Sequence, residues 1–225
     1  MRHDKRCYAC EFKATTREHV PPKAFSPDGF RDGLVTVPSC DRHNLDNSMD
    51  VEYARNVIAS SRGINQIGER LVFGKAKRSY DRSCRLFSQT FRDSGLAALD
   101  GEETCVIRID LRRLKSVMTA IAQAIFFLDE ERKAERWRVY VDSLCSNADL
   151  GGARHGGARE QLRSTLGRLT FKDRPVPQPK VFKYAVSRMA EGLPIYRFDF
   201  YEGFVAYAWP YSNILRRGFQ VALVN

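Results

Sequence analysis

Apolar and polar positions follow different patterns in three stretches of the chain. Up to about residue 60 the sequence is dense in Cys, His, Pro and Asp and contains no long apolar run. Within this stretch, residues 34–37 predict a short strand, and the apolar positions from about 42 to 60 recur at helical spacing. Because so short a segment cannot build a large core, we expect a metal ion to supply part of its stability.

The second half of the chain predicts an α+β core. Alternating positions over 104–109 indicate a strand, Asp110 is placed to cap a helix, and an apolar stripe follows over 111–128. The stretch 93–101, bracketed by Asp-Ser-Gly and Asp-Gly, is expected to be a loop. Aromatic content and a turn at 201–203 favour a mostly antiparallel sheet. Its strands are expected at 137–141, 181–186, 195–200, 203–209 and 219–224, with one short helix at 159–169.

The third stretch, residues 62–92, is predicted to be helical and basic, with a local net charge of +6 and aromatic residues interleaved. Such a surface can lie along a phosphate backbone. The alternative is an amphipathic helix with a solvated basic face and an aromatic core face. We therefore expect a metal-bound module at 1–60, a basic helical connector at 61–102 and an α+β domain at 103–225.

Charge and composition narrow the classes of partner. The chain has 37 Lys and Arg against 27 Asp and Glu, a net charge of +10. Nucleic acid is a common partner of basic proteins, although plain solubility is the alternative explanation. No apolar run approaches the roughly 20 residues that cross a bilayer, and the first residues lack an apolar signal core. We expect a cytoplasmic protein with no membrane contact.

The spacing of Cys and His predicts a structural zinc site. Six cysteines in a chain without an export signal do not suggest a disulfide framework. Cys7-x2-Cys10 and Cys40-x2-His43 form two short knuckles, and each can supply two ligands to tetrahedral zinc. The alternative is that the two spacings arise by chance. Since the knuckles are far apart in sequence, we expect another element to be inserted between them.

The inserted element contains a Glu-His pair, and the whole pattern resembles the zinc-containing HNH (ββα-metal) endonucleases. The matching pieces read CYAC, EHVPPK and PSCDRHN, with LDNSMDVEYAR behind them. That family has a first CxxC, an acidic-His-hydrophobic-x-Pro strand and turn, a second knuckle, and an Asn or His at the start of a helix. The resemblance covers residues 7–58 and implies a ββα-metal module there.

The resemblance also implies a catalytic site. His19 would be the general base, while Glu18 and Asn44 would hold a divalent cation. Oxygen ligands suit Mg²⁺ or Mn²⁺ better than zinc, so a structural and a catalytic metal are both expected. The alternatives are that His19 is a surface histidine, that Glu18 is a solvated carboxylate at the strand end, and that Asn44 only caps the helix.

Further candidates are weaker. Lys23 or Arg42 could neutralise a phosphate, and Asp46, Asn47, Ser48 and Asp50 offer additional oxygen atoms at the predicted helix start. His3 is an alternative zinc ligand, and His155 carries no motif. The family usually has a bracing Asn before its second strand, where this chain has Asp32-Gly33. Asp32 can take over that role, because Asp side chains stabilise turns.

Three functions compete at this point. The first is a metal-dependent endonuclease acting on nucleic acid, with DNA ahead of RNA. The second is a catalytically inactive zinc module that binds nucleic acid or protein, which would have no need of the Glu18-His19 pair. The third is a zinc-stabilised interaction protein whose activity lies in 103–225, although no catalytic motif occurs there. A homodimer is compatible with all three.

Overall fold

The structure is a computed structural model that describes residues 6–44, 48–83, 88, 94–99, 101–144 and 156–211. It is a mixed α+β fold with antiparallel sheets, as predicted. The strands are β1 (Thr16–Val20), β2 (Val35–Ser39), β3 (Gly95–Leu99), β4 (Glu102–Val106), β5 (Trp137–Val141), β6 (Lys172–Asp173), β7 (Phe182–Arg188), β8 (Pro194–Phe200) and β9 (Phe204–Pro210). The α-helices are α1 (Met49–Ala59), α2 (Gln66–Leu71), α3 (Lys77–Arg82), α4 (Leu111–Glu130) and α5 (Gly156–Gly167), with a π-helical turn at Val72–Ala76 and 3₁₀ turns at Lys23–Phe25 and Asp41–His43.

The N-terminal part is an antiparallel hairpin, β1–β2, followed by α1. The register pairs Thr16 with Ser39 and Val20 with Val35, so the open end of the hairpin lies next to residue 40. Helix α1 begins after Ser48, whose hydroxyl accepts a hydrogen bond from the backbone N–H of Asp50. This is the usual way in which serine satisfies a free N–H group at a helix start.

The C-terminal part is a five-stranded antiparallel sheet in the order β5-β9-β8-β7-β6. Alternation divides its side chains between two faces. One face carries Tyr196, Phe198 and Phe200 into the main core with α4, and the other packs Ile195 and Tyr207 against Leu166 of α5. Aromatic residues fit this position because they bury a large area on a pleated surface. The sheet is therefore a layer between two helices.

Helix α4 is the long apolar helix that the sequence predicts. The Asp110 carboxylate accepts hydrogen bonds from the N–H groups of Arg112 and Arg113, which confirms the predicted cap. The helix ends at Glu131 in the left-handed conformation. Its apolar stripe faces the main core, where Leu114, Val117 and Met118 are fully buried.

The β1–β2 hairpin and the C-terminal sheet share one core. Phe25, between β1 and β2, packs on Phe200 of β8 with ring centroids 5.3 Å apart. The buried Tyr201 hydroxyl donates a hydrogen bond to the Phe25 carbonyl. The side chain of Gln178 donates to the Asp32 carbonyl at 3.3 Å. The hairpin is thus held against the C-terminal sheet, and the division into units at 1–60, 61–102 and 103–225 stays a prediction.

The structure differs from the sequence predictions at several element boundaries. The stretch 93–101, expected to be a loop, contains strand β3, which pairs with β4. Helix α1 begins at Met49 rather than near residue 42, because Asp41–His43 forms a separate 3₁₀ turn. The strand expected at 219–224 lies outside the described residues. None of the helices that the structure describes has the length and apolar character needed to cross a membrane.

Gly203 provides a test of how the β8–β9 turn docks on the loop between α1 and α2. A Cβ atom added at Gly203 would lie 2.2 Å from the Gly63 carbonyl oxygen, and that backbone cannot rotate away. Gly203→Ala should lower the free energy of unfolding by about 1–3 kcal/mol, as measured by urea unfolding. Gly157→Ala is the control, because Gly157 has open space around it in α5 and alanine favours a helix by up to ~1 kcal/mol. Equal stability of the two variants would contradict this packing.

Asp129 near the end of α4 should make stability depend on pH. Burial raises its pKa, although hydrogen bonding from Tyr184 (at 3.1 Å to Oδ1) and the charge of Arg174 lower it, and Glu130 adds to the rise. Since the folded state holds this proton more tightly than the unfolded state, stability falls as the pH rises through the folded-state pKa.

We therefore expect Asp129→Asn to become more stable relative to the wild type as the pH rises from acidic to neutral. Thermal unfolding across that range measures the effect. The same substitution at Asp173, which is exposed on β6, should leave the pH dependence unchanged. Parallel pH profiles for wild type and Asp129→Asn would show that Asp129 is not responsible.

Candidate metal centre and the adjoining Glu-His strand

Four sulfur and nitrogen ligands converge at the open end of the β1–β2 hairpin. Cys7 and Cys10 lie in a tight turn before β1, which is closed by the hydrogen bond from the Cys7 N–H to the Phe12 carbonyl at 2.9 Å. Cys40 follows the last residue of β2 directly, and His43 ends the 3₁₀ turn that comes next. Because β1 and β2 pair at this end, the two knuckles are brought side by side. The convergence predicted from the sequence is confirmed.

The spacing of the four ligand atoms fits tetrahedral zinc. Zinc bonds of about 2.3 Å to sulfur and about 2.0 Å to nitrogen place neighbouring ligand atoms about 3.5–3.8 Å apart. The Nδ1 atom of His43 lies 3.3 Å from the Cys40 Sγ and 3.7 Å from the Cys7 Sγ. The Cys10 and Cys40 sulfur atoms are 3.8 Å apart, and all four ligand atoms lie within 4.8 Å of one another. These residues can therefore hold a metal ion, and the donor set of three thiols and one imidazole suits zinc.

The surroundings favour the protonation states that a metal needs at two of the ligands. Burial alone would raise the pKa of the Cys7 thiol, but N–H groups of Ala9, Cys40 and Cys10 outweigh burial and lower it. Burial, and the charge of Arg42, lower the pKa of His43 and favour the neutral imidazole that ligation requires. Burial and the neighbouring Cys40 and Cys7 raise the pKa of the Cys10 thiol, although a backbone hydrogen bond at Phe12 lowers it.

Hydrogen bonds join the two knuckles to each other and to the turn after α4. The Tyr8 hydroxyl donates to the His43 carbonyl at 3.2 Å and bridges the two knuckles. Lys133, in the turn after α4, donates to the Cys10 carbonyl at 2.6 Å and pairs with Glu11 at 2.9 Å. The sequence does not reveal Lys133, because 123 positions separate it from Cys10. The metal centre is thus attached to the C-terminal core.

Glu18 and His19 lie on opposite faces of β1. Glu18 is only 2% exposed and points inward beside the buried Tyr8, whereas His19 is half-buried on the outer face. Period-two alternation requires this division. Glu18 pairs across the hairpin with Val37, and His19 pairs with Thr36. The side chains of these adjacent residues therefore lie in different environments.

Asn44 lies beside β1, but it is not at the start of the helix, where the family pattern places it. It follows the Asp41–His43 turn and precedes the Ser48 cap of α1, so it is not the first residue of the helix. Its Nδ2 atom lies 3.5 Å from the carbonyl oxygen of Arg17, the residue before Glu18. The structure thus places Asn44 beside the backbone of the residue before Glu18, while the Glu18 and His19 side chains lie on opposite faces of β1.

The secondary candidates divide into those with a structural role and those that lie outside the described residues. Ser48 caps α1, and Asp50 pairs with Arg113 at 2.6 Å. The bracing role of the Asp32 side chain stays a prediction. A different contact holds this turn, because the side chain of Gln178, 146 positions away in sequence, donates a hydrogen bond to the Asp32 carbonyl. Outside the described residues lie His3, Asp46, Asn47 and His155.

A comparison with protein-family models finds no match, and comparisons with curated proteins and with solved structures find none either. The interpretation of the site therefore rests on its own residues and geometry.

The zinc assignment predicts which cysteine the protein needs for metal binding and thermal stability. Purified protein should contain about one zinc per chain, measured by elemental analysis. Cys40→Ser should lose the metal and unfold at lower temperature, since binding and folding are coupled. Cys105→Ser is the matched control, because Cys105 is an exposed free thiol on β4, and Glu18→Ala should also retain zinc. A Cys40→Ser protein that keeps its zinc would contradict the ligand set.

Proposed function

We propose that this protein is a metal-dependent endonuclease of the HNH (ββα-metal) type that hydrolyses phosphodiester bonds in nucleic acid, with DNA as the first candidate substrate. The observation that carries the proposal is the placement of Asn44 beside the strand that bears Glu18 and His19. The Cys7, Cys10, Cys40 and His43 cluster adjoins that strand and the turn before Asn44. Strand, strand and helix follow one another in the order of a ββα-metal module, β1–β2–α1.

His19 is proposed as the general base. A neutral imidazole takes a proton from water, and the resulting hydroxide oxygen forms a bond to phosphorus. The bond between phosphorus and the 3′ oxygen breaks, and that oxygen takes a proton from solvent. The products are a 5′-phosphate and a 3′-hydroxyl, and the imidazolium then releases its proton to solvent, so atoms and charge balance. The outer position of His19 leaves it accessible to a large substrate.

Glu18 and Asn44 are proposed to hold the catalytic divalent cation. Carboxylate and amide oxygens suit Mg²⁺ or Mn²⁺, which would stabilise the charge that develops on the phosphate and the leaving oxygen. Glu18 lies on β1 next to the proposed base, and Asn44 lies after the Asp41–His43 turn, 3.5 Å from the carbonyl oxygen of the residue before Glu18.

A zinc module that binds nucleic acid or protein without cutting is the second candidate. The position of Asn44 favours this second function. In the family pattern the asparagine lies at the start of the helix, whereas here α1 begins only at Met49. Cleavage activity separates the two functions directly. The basic side chains Lys77, Arg78 and Arg82 of α3 fit nucleic-acid binding under either function.

His19→Ala tests the nuclease function. Wild-type protein should nick supercoiled plasmid DNA with Mg²⁺ or Mn²⁺ and stop when EDTA is added. His19→Ala should lower the nicking rate by about 10²- to 10⁴-fold, the usual contribution of a general base, while zinc content and thermal unfolding stay unchanged. The same substitution at His155 should leave nicking unchanged. A His19→Ala protein that nicks at the wild-type rate would refute the base, and a wild type that binds but never nicks would favour the inactive module.

A further inference from the structure

Arg17 is an exposed arginine on the same face of the hairpin as His19. The two residues are two positions apart on β1, so their side chains leave the strand on one side while Glu18 leaves it on the other. The alternation of exposure along β1, from exposed Arg17 to buried Glu18 to half-buried His19, agrees with this placement. Arg17 therefore lies on the surface that a substrate of His19 would touch.

The guanidinium of Arg17 is held in position by Thr36. Its Nε atom donates to the Thr36 hydroxyl at 2.7 Å, and its Nη2 atom donates to the Thr36 carbonyl at 3.2 Å. Thr36 is the residue that pairs directly with His19 across the hairpin. Opposite residues in an antiparallel pair have Cβ atoms about 4.5–5.5 Å apart. Because Arg17 reaches diagonally across the hairpin to Thr36, its guanidinium lies beside His19, the proposed base.

The guanidinium of Arg17 is bound by two neutral groups, which leave its positive charge unneutralised. Among the described residues, Arg17 forms no ion pair, whereas Arg6, Arg31 and Arg113 each pair with a carboxylate. A guanidinium has five N–H donors, and the two bonds to Thr36 use one on Nε and one on Nη2, which leaves the Nη1 hydrogens and the second Nη2 hydrogen for a ligand. A fixed, unneutralised fork of N–H groups is the arrangement that binds phosphate oxygens in two-point contacts.

We propose that Arg17 contacts the phosphate that His19 acts upon and that Thr36 is the positioning residue for this guanidinium. The inference rests on the proposed nuclease function and adds a substrate-binding group to it. In the transition state of hydrolysis, charge accumulates on the non-bridging oxygens, and a fixed cation stabilises that charge without reorganising. Thr36 acts only through Arg17.

Cleavage kinetics and binding test Arg17 separately. Arg17→Gln should lower kcat/KM for plasmid nicking by about 10²-fold, and Arg17→Lys should recover only part of it, since an ammonium cannot make the two-point contact. Binding is measured with a short DNA duplex in the His19→Ala background without divalent metal. There Arg17→Gln should reduce the slope of log K against log salt by about one.

Matched variants separate positioning from general damage. Arg168→Gln makes the same charge change at an exposed arginine just after α5, in the layer on the other side of the sheet, and should change neither measurement. Thr36→Val removes only the hydroxyl, so kcat should fall about tenfold because the guanidinium is misplaced, while the salt slope stays that of wild type. Thr36→Ser, which keeps the hydroxyl, should restore kcat.

The outcomes distinguish the two proposals. If the wild type nicks DNA and Arg17→Gln nicks and binds like wild type, the role of Arg17 is refuted while the nuclease function stands. If the wild type does not nick but Arg17→Gln loses one unit of salt slope, the nuclease function fails and Arg17 remains a phosphate contact. A wild type with no affinity for the duplex overturns both. Thermal unfolding and zinc content of each variant verify that it is folded.

Discussion

The meeting of Cys7, Cys10, Cys40 and His43 is the constraint on which the N-terminal architecture depends. A two-stranded hairpin of five-residue strands is marginal by itself, and the four ligands lie where that hairpin opens. Metal binding at such knuckles contributes on the order of 10 kcal/mol in small zinc domains. It would thereby fix the strand ends, the turn that leads to Asn44 and the approach of α1.

Turns and loops of the C-terminal part support this arrangement from the other side. Tyr201 and Gln178 contact the segment between β1 and β2 at the carbonyl groups of Phe25 and Asp32, and Lys133 contacts the first knuckle. Because these contacts are made to backbone carbonyl groups, they restrict the backbone of the segment without engaging its side chains. The large second half therefore has a physical role near the candidate site even though it contributes no candidate catalytic side chain.

The sequence predicts those elements that short-range spacing and neighbouring side chains determine. Helix α4 and its Asp110 cap follow from spacing and one side chain, and the knuckles follow from ligand spacing. Strand β3 was missed because Gly-Leu-Ala-Ala-Leu has small residues and no alternation, so pairing with β4 decides its conformation. The start of α1 was misplaced because a 3₁₀ turn carrying His43 interrupts the helical spacing. Contacts such as Gln178 to Asp32 leave no local signal.

Strand register connects the metal centre to the chemistry. Side chains alternate with a period of two, so a slip of one residue in β1 would bury His19 and Arg17 and expose Glu18. The pairing of Thr16 with Ser39 lies next to the knuckles, and knuckles joined by a metal would not tolerate such a slip. A structural zinc at this end would therefore act on the candidate site without touching it. It would keep the carboxylate inside, and the imidazole and guanidinium outside.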